Sequence, residues 1–168
     1  MGRVQQGFTN GVPGSISRSV DDIVISIRNA GSADIEPGTP VFLTDDGAEP
    51  FNIAAPQEFS EFLGFAVRVA DKTPDTYPQN QNPEQFSQKG VWHPGDVMEV
   101  LVRGGIVVKM VLSSRFGDKL YLRKNDGQLT PNPGTSGTTL LLENCRIRMP
   151  RDSQVASAEV VVTERNAM

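Results

Sequence analysis

Few residues of this chain have the types and spacing that reaction chemistry requires. His93 is the only histidine, so a Ser-His-Asp or Cys-His site would have to be built around it. It lies in the sequence Trp-His-Pro-Gly, just before a predicted strand, where a turn histidine at the surface is the ordinary interpretation. Cys145 is the only cysteine, which excludes an internal disulfide, and its apolar neighbours predict a buried, unreactive thiol.

Acidic and glycine-rich segments offer weaker candidates for a site. The run from Asp45 to Glu49 departs from the spacing of a calcium loop, and turn formation explains its aspartates. Glu58, Glu61 and Asp71 are candidates for a glycosidase pair, but chance neighbours are expected among 20 acidic residues. The Gly104-Gly105 pair lies between two predicted strands, whereas phosphate-binding loops precede helices. We therefore predict no enzyme activity, no metal and no cofactor.

Size and charge narrow the classes of partner. The chain has 168 residues, enough for one domain with a substantial core. Its formal net charge is −4, which makes nucleic acid and anionic membranes poor candidates. The first ten residues lack the basic and apolar regions of a secretion signal, and no apolar run is long enough to cross a bilayer. We expect a protein that is made in the cytoplasm.

One phrase occurs twice in the chain and indicates its architecture. Residues 38–47 and 117–127 each begin with glycine, continue through a short apolar strand containing an aromatic residue, and end in Asp-Gly. Asp-Gly is typical of tight hairpin turns, because glycine supplies the positive φ that these turns require. The repetition predicts an all-β framework with related substructures.

Alternating apolar residues and turn signals predict nine short strands, which favours a compact all-β sandwich or barrel. The Gly104-Gly105 pair predicts a tight hairpin between two of them. The last segment is compatible with a helix capped by Asp152, but Val160-Val161-Val162 favours a strand. The predicted strands are Ile23–Arg28, Val41–Thr44, Phe62–Ala70, Val97–Arg103, Ile106–Leu112, Leu120–Arg123, Gln128–Thr130, Thr138–Met149 and Gln154–Thr163.

Two segments outside the predicted strands are candidates for partner contacts. Residues 1–19 have no periodicity and predict an extended arm before a single domain over residues 20–168; a free tail is the alternative. Residues 71–95 form a long polar loop that contains aromatic residues, which either pin the loop to its own domain or contact a partner. The candidate partner-contact residues are Val4, Phe8, Val12, Ile16, Tyr77, Phe86 and Trp92.

The order of several phrases resembles the structural cement, or head decoration, proteins of tailed bacteriophages over residues 10–163. These phrases are Asn10–Gly14, Pro37–Leu43, Phe62–Val67, Pro94–Val108 and Gly117–Leu122, followed by Asp126-Gly-Gln-Leu-Thr. The resemblance implies a β-rich protein without catalytic residues that coats the outside of an assembled capsid in the virion. Its expected partners are the major capsid protein and further copies of itself, with a homotrimer favoured over a dimer.

A binding module of a phage tail or fibre is the alternative function. In that case Tyr77, Phe86 and Trp92 would stack on the sugar rings of a glycan or on another receptor.

Overall fold

The computed structural model describes residues 12–17, 21–68, 90–150 and 157–164, and it confirms an all-β fold. These residues form nine strands and one 3-10 turn, Phe59–Glu61. The strands are β1 (Ile23–Arg28), β2 (Pro40–Thr44), β3 (Gly47–Pro50), β4 (Phe62–Ala66), β5 (Val97–Lys109), β6 (Lys119–Arg123), β7 (Leu129–Thr130), β8 (Thr139–Met149) and β9 (Ser157–Val162). The sheet is not closed into a barrel, which leaves the predicted sandwich as the consistent architecture.

The strand order is symmetric: strands at equal distances from the two ends of the sheet have equivalent places in the two halves of the chain. Eight strands run in the order β3-β2-β4-β5-β9-β8-β6-β7, and β1 pairs with β5 beside this path. The β2–β3 hairpin therefore corresponds to β6–β7, β4 corresponds to β8, and β5 meets its counterpart β9 at the centre. The two copies of the repeated phrase supply β2 and β6 at equivalent positions, so the fold contains two related halves.

One kind of turn precedes five of the extended segments. In each turn a backbone N–H donates to the carbonyl oxygen three residues earlier, at 3.0–3.2 Å, and the third residue is a glycine with φ between +82° and +87°. That geometry is typical of a type II turn, which requires positive φ at its third position. The extended segment begins two residues after each of these glycines, which are Gly14, Gly38, Gly95, Gly117 and Gly137.

The prediction of a hairpin at Gly104-Gly105 is wrong, because both glycines lie inside the 13-residue strand β5. The first part of β5 pairs with β1 and β4, whereas the part from Gly104 onward pairs with β9. Gly104 has φ +120°, and a Cβ atom there would lie 1.9 Å from an oxygen of Asp22. The glycines thus permit a close approach and a change of pairing within one strand.

Two smaller predictions also differ from the structure. The edge strand β3 was not predicted, because its sequence Gly-Ala-Glu-Pro has neither alternation nor β-branched residues. Its Pro50 is tolerated because an edge strand leaves backbone groups unpaired. β4 ends at Ala66, although the sequence favoured a strand to Ala70, and both of its faces are buried.

The buried apolar side chains form two clusters, the first of which holds the halves together. The first draws on both halves and includes Phe42 and Phe62, whose rings meet edge to face with centroids 5.7 Å apart, together with Leu120, Leu142 and Val160. The second lies within the first half only, and Ile25 and Ile27 of β1 pack against it.

A buried asparagine joins three segments at the edge of the second cluster. The side-chain amide of Asn29 donates to the carbonyl oxygens of Ala33 (3.1 Å) and Trp92 (3.0 Å), and its Oδ1 accepts from the N–H of Gly31 (3.0 Å). Its backbone N–H also donates to the carbonyl oxygen of Asp96 at 2.8 Å. The end of β1, the following loop and the turn before β5 are therefore fixed together.

Candidate interaction surface

Large apolar side chains that remain exposed mark the candidate contact surfaces. One group follows the N-terminal segment of the described chain: Val12, Ile16, Ile23 and Val24, exposed between 37% and 51%. A second group lies beside the turn that precedes β6: Phe116, exposed by 77%, and Met149, by 43%. We call these the N-terminal strip and the Phe116 patch.

The N-terminal strip is held against its own chain by backbone hydrogen bonds to β5. The N–H groups of Gly14 and Ser17 donate to the carbonyl oxygens of Val107 and Gly105, both at 2.8 Å. Ile16 forms a bridge with Ile106 of β5. These backbone groups are already paired within the chain, so what the strip offers a partner there is side-chain area.

The predicted partner-contact residues are found in different environments. Val4, Phe8, Tyr77 and Phe86 lie outside the described residues. Val12 and Ile16 are both on the N-terminal strip.

The expectation that Trp92 is available at the surface is wrong, because its side chain is only 5% exposed. Its ring N–H donates to the carbonyl oxygen of Val67 at 3.2 Å, and its backbone pairs in both directions with Ile35. Trp92 packs in the second core cluster and has little area left for a sugar ring. We therefore remove it from the set of partner contacts and from the glycan-binding alternative.

The Phe116 patch lies where β6 and β8 meet. The N–H of Gly117 donates to the carbonyl oxygen of Ile147 at 2.7 Å, and the N–H of Ile147 donates to that of Asp118 at 3.0 Å. These bonds bring the turn that contains Phe116 next to the end of β8, which contains Met149. Four basic residues lie close to them in the sequence: Arg115, Lys119, Arg146 and Arg148, of which Arg148 pairs with Glu159 at 3.8 Å.

Two basic side chains of this patch lie directly across the ladder from each other. Lys119 pairs with Arg146 in the register of β6 and β8. A β-bulge directly follows this pair, and Lys119 forms no ion pair within the described residues. Arg146 directs its guanidinium to the backbone oxygens of Glu143 (2.9 Å) and Cys145 (2.7 Å).

The β2–β3 hairpin of the first half is acidic. Asp45 and Asp46 form its exposed tip between β2 and β3, with Thr44 paired to Gly47. Neither aspartate makes an ion pair within the described part of the chain. Glu49 follows on β3, where its carboxylate accepts from the amide of Gln57 at 2.7 Å.

Charge is divided between the two halves along the sequence. Residues 21–103 contain 14 acidic and 5 basic side chains, whereas residues 104–168 contain 6 acidic and 9 basic ones. The formal charges are therefore −9 and +3, with two further arginines in residues 1–20. The net charge of −4 is therefore the sum of a strongly acidic range and a basic range of the sequence.

The groups that reaction chemistry would use lie apart or are buried. Nδ1 of His93 is 2.8 Å from an oxygen of Asp34, and both side chains are more than half exposed. Cys145 is fully buried, as predicted, and burial raises the pKa of its thiol far above the ordinary value. No group of three or more potential metal ligands occurs in residues 12–17, 21–68, 90–150 and 157–164.

Within the described residues, the groove beside the turn before β2 provides no further candidate site for chemistry. A half-open groove of about 420 Å³ lies between the turn before β2 and the start of β7, and the ion pair of Lys109 with Glu36 (3.0 Å) lies at its edge. Its lining brings no set of catalytic groups together. Among the described residues, no helix is both long enough and apolar enough to cross a membrane.

Comparison with known proteins gives two findings. Residues 2–166 match the family described as structural cement protein (E217 gp24/Pam3 gp6). A chain in the solved structure of the capsid of Myoviridae phage XM1 has a similar fold, with a TM-score of 0.67 and 16% sequence identity over 97% of this chain and 96% of that one. No curated protein sequence matches this chain.

Proposed function

We propose a way in which this chain, which belongs to the family of phage structural cement proteins, stabilises the capsid that it decorates. It binds the outer surface of the assembled shell and clamps neighbouring major capsid subunits together. It acts as a homotrimer at threefold or quasi-threefold positions, with a dimer as the alternative. The family is a structural one, and nothing in the comparisons favours a tail or fibre protein.

The observation that supports this proposal most directly is the N-terminal strip. Val12 and Ile16 keep 51% and 39% of their surface exposed, although the backbone beside them is fixed to β5. Exposed apolar side chains on an ordered backbone lose little conformational entropy when a partner covers them. Val4 and Phe8 extend the same apolar spacing towards the N-terminus and complete the proposed contact, and Tyr77 and Phe86 remain proposed contacts of the long loop.

A cement protein also needs many copies to act together. Weak contacts become effective on a symmetric shell because binding of one contact raises the local concentration for the next. A rigid all-β body with exposed apolar segments suits this role, and the net charge of −4 avoids attraction to the packaged nucleic acid.

Co-sedimentation with capsids tests the proposal. Purified protein should bind expanded capsids and bind compact precursor shells poorly; equal binding to both, or to neither, contradicts it. The double variant Val12→Ser/Ile16→Ser should lower occupancy about tenfold or more, as expected for loss of a central apolar contact. Leu112→Ser is the matched control, because Leu112 is 46% exposed and lies outside the strip. Sedimentation equilibrium separates the trimer from the dimer.

A further inference from the structure

Within the described residues, the turn that contains Phe116 does not explain the exposure of its ring. Phe116 occupies the second position of a type II turn, and three equivalent turns have Pro13, Pro37 or Pro94 there. Proline is favoured at this position because its φ is already correct. The fold therefore does not require a phenylalanine, and its ring is 77% exposed.

The residues around Phe116 give the patch the character of an interface. Aromatic and arginine side chains are enriched at protein–protein contacts and dominate their energetics. Here the ring is 77% exposed, and the neighbouring Arg115 and Lys119 form no ion pair within the described part of the chain. An acidic partner would pair with these two cations.

This chain itself carries a surface of complementary charge. We propose that the Phe116 patch of one copy contacts the Asp45–Asp46 hairpin of the next copy. The hairpin is exposed, it belongs to the half with a formal charge of −9, and the patch belongs to the half with +3. Complementary potentials of this kind select the partner and its orientation.

The contact joins two different surfaces, so it is heterologous. Contacts of that type generate a ring when the rotation between copies closes. The inference rests on the proposed function, in which the protein acts as a homo-oligomer, and it specifies the surfaces that join the copies. It also implies that self-association weakens as salt is added, because exposed charges are screened.

A charge exchange tests the contact with the full chain. Arg115→Glu/Lys119→Glu reverses the patch, Asp45→Lys/Asp46→Lys reverses the hairpin, and both single reversals should weaken self-association at least about tenfold. The four substitutions together restore complementarity and also the original net charge of −4. Sedimentation velocity over a concentration series should therefore show recovery in the fourfold variant.

A fold-preserving variant provides a second measurement. Phe116→Pro removes the ring and installs the residue that the equivalent turn has at Pro37, so the unfolding midpoint should be unchanged or higher. Self-association should nevertheless weaken about tenfold or more. Ser136→Pro is the matched control, because it makes the same change in the turn before β8, away from the patch.

The outcomes separate this contact from the proposed function. Single reversals that associate like the wild type, or a folded fourfold variant that does not recover, would overturn the inference. Capsid co-sedimentation of the same variants is measured separately. If self-association weakens and recovers as the charge exchange predicts but the protein binds no capsid, the contact stands and the proposed function is refuted. If the protein binds capsids but no variant changes its self-association, the proposed function stands and the contact is refuted.

Discussion

Two glycines in the repeated phrase allow a backbone effect to be separated from a packing effect. Gly38 and Gly117 occupy the same position of equivalent turns and have φ values of +82° and +83°. Their surroundings differ. A Cβ atom at Gly38 would lie 3.0 Å from the backbone nitrogen of Gly14 and 3.1 Å from the carbonyl oxygen of Val107, whereas one at Gly117 would meet nothing within 4 Å.

The substitution to alanine should therefore cost different amounts at the two sites. Positive φ costs an L-residue about 1–2 kcal/mol, and this is the whole expected effect of Gly117→Ala. Gly38→Ala adds about 1–3 kcal/mol, because the neighbours of the new methyl group are backbone atoms that must move. The lower entropy of the unfolded chain stabilises both variants equally and cancels in the comparison.

Urea denaturation followed by circular dichroism measures both free energies of unfolding. A difference of 1 kcal/mol corresponds to about 2–4 °C in Tm for a domain of this size. Gly137→Ala is the control, because Gly137 has φ +83° and open space around it and should match Gly117→Ala. Equal costs at Gly38 and Gly117 would refute the packing argument. A larger cost for Gly137→Ala than for Gly117→Ala would refute the conclusion that the space around Gly137 is open.

Three further predictions concern single side chains. Asn29→Ala should lower the free energy of unfolding by about 2–3 kcal/mol, because a buried amide loses three hydrogen bonds; urea denaturation tests this, and Asn125→Ala in an exposed turn should stay within about 0.5 kcal/mol of wild type. Cys145 should resist a thiol reagent such as DTNB in the native state at pH 8 and react fully in denaturant, since burial raises the pKa of its thiol; rapid reaction of the native protein would contradict its burial. For Asp126, burial raises the pKa, but the hydrogen bonds from Arg123 and the Gln128 N–H and the charge of Arg123 outweigh it and hold that pKa below its ordinary value. The stabilisation by Asp126 is therefore complete well above pH 4 and is lost as pH falls through the lowered value, so Asp126→Asn should cost at most about 1 kcal/mol at pH 7 and progressively less as the pH falls below about 4, and a penalty that does not diminish with acidification would contradict the ion pair.

The sequence predicted the parts of this fold that depend on neighbouring residues. The Asp46-Gly47 turn and the two copies of the repeated phrase were read correctly, because turn chemistry acts over four residues. The Gly104-Gly105 hairpin failed for the opposite reason. Two apolar runs on either side of Gly-Gly are the local signal of a hairpin. These runs pair with β1, β4 and β9, which come from other parts of the chain, and not with each other.

The candidate contact surface shows the same division. Val12 and Ile16 were found as isolated apolar residues in a polar segment, and they are exposed. Trp92 gave a similar signal, but its burial depends on pairing with Ile35, which lies 57 positions earlier in the chain. Phe116 was missed, although the repeated phrase aligns it with Pro37 and that mismatch was visible in the sequence.

The palindromic strand order makes such mismatches informative. Two halves with the same strand order need similar residues at equivalent positions. Where the two residues differ, the shared fold does not determine the residue type. Phe116 against Pro37 is a difference of this kind, and the opposite formal charges of the two halves are a second difference between them. Related halves with opposite charge cannot present the same surface twice, and a contact between unlike halves of successive copies uses both differences at once. Each copy therefore has two unlike surfaces, and a heterologous contact that forms a ring around a symmetry axis requires two such surfaces.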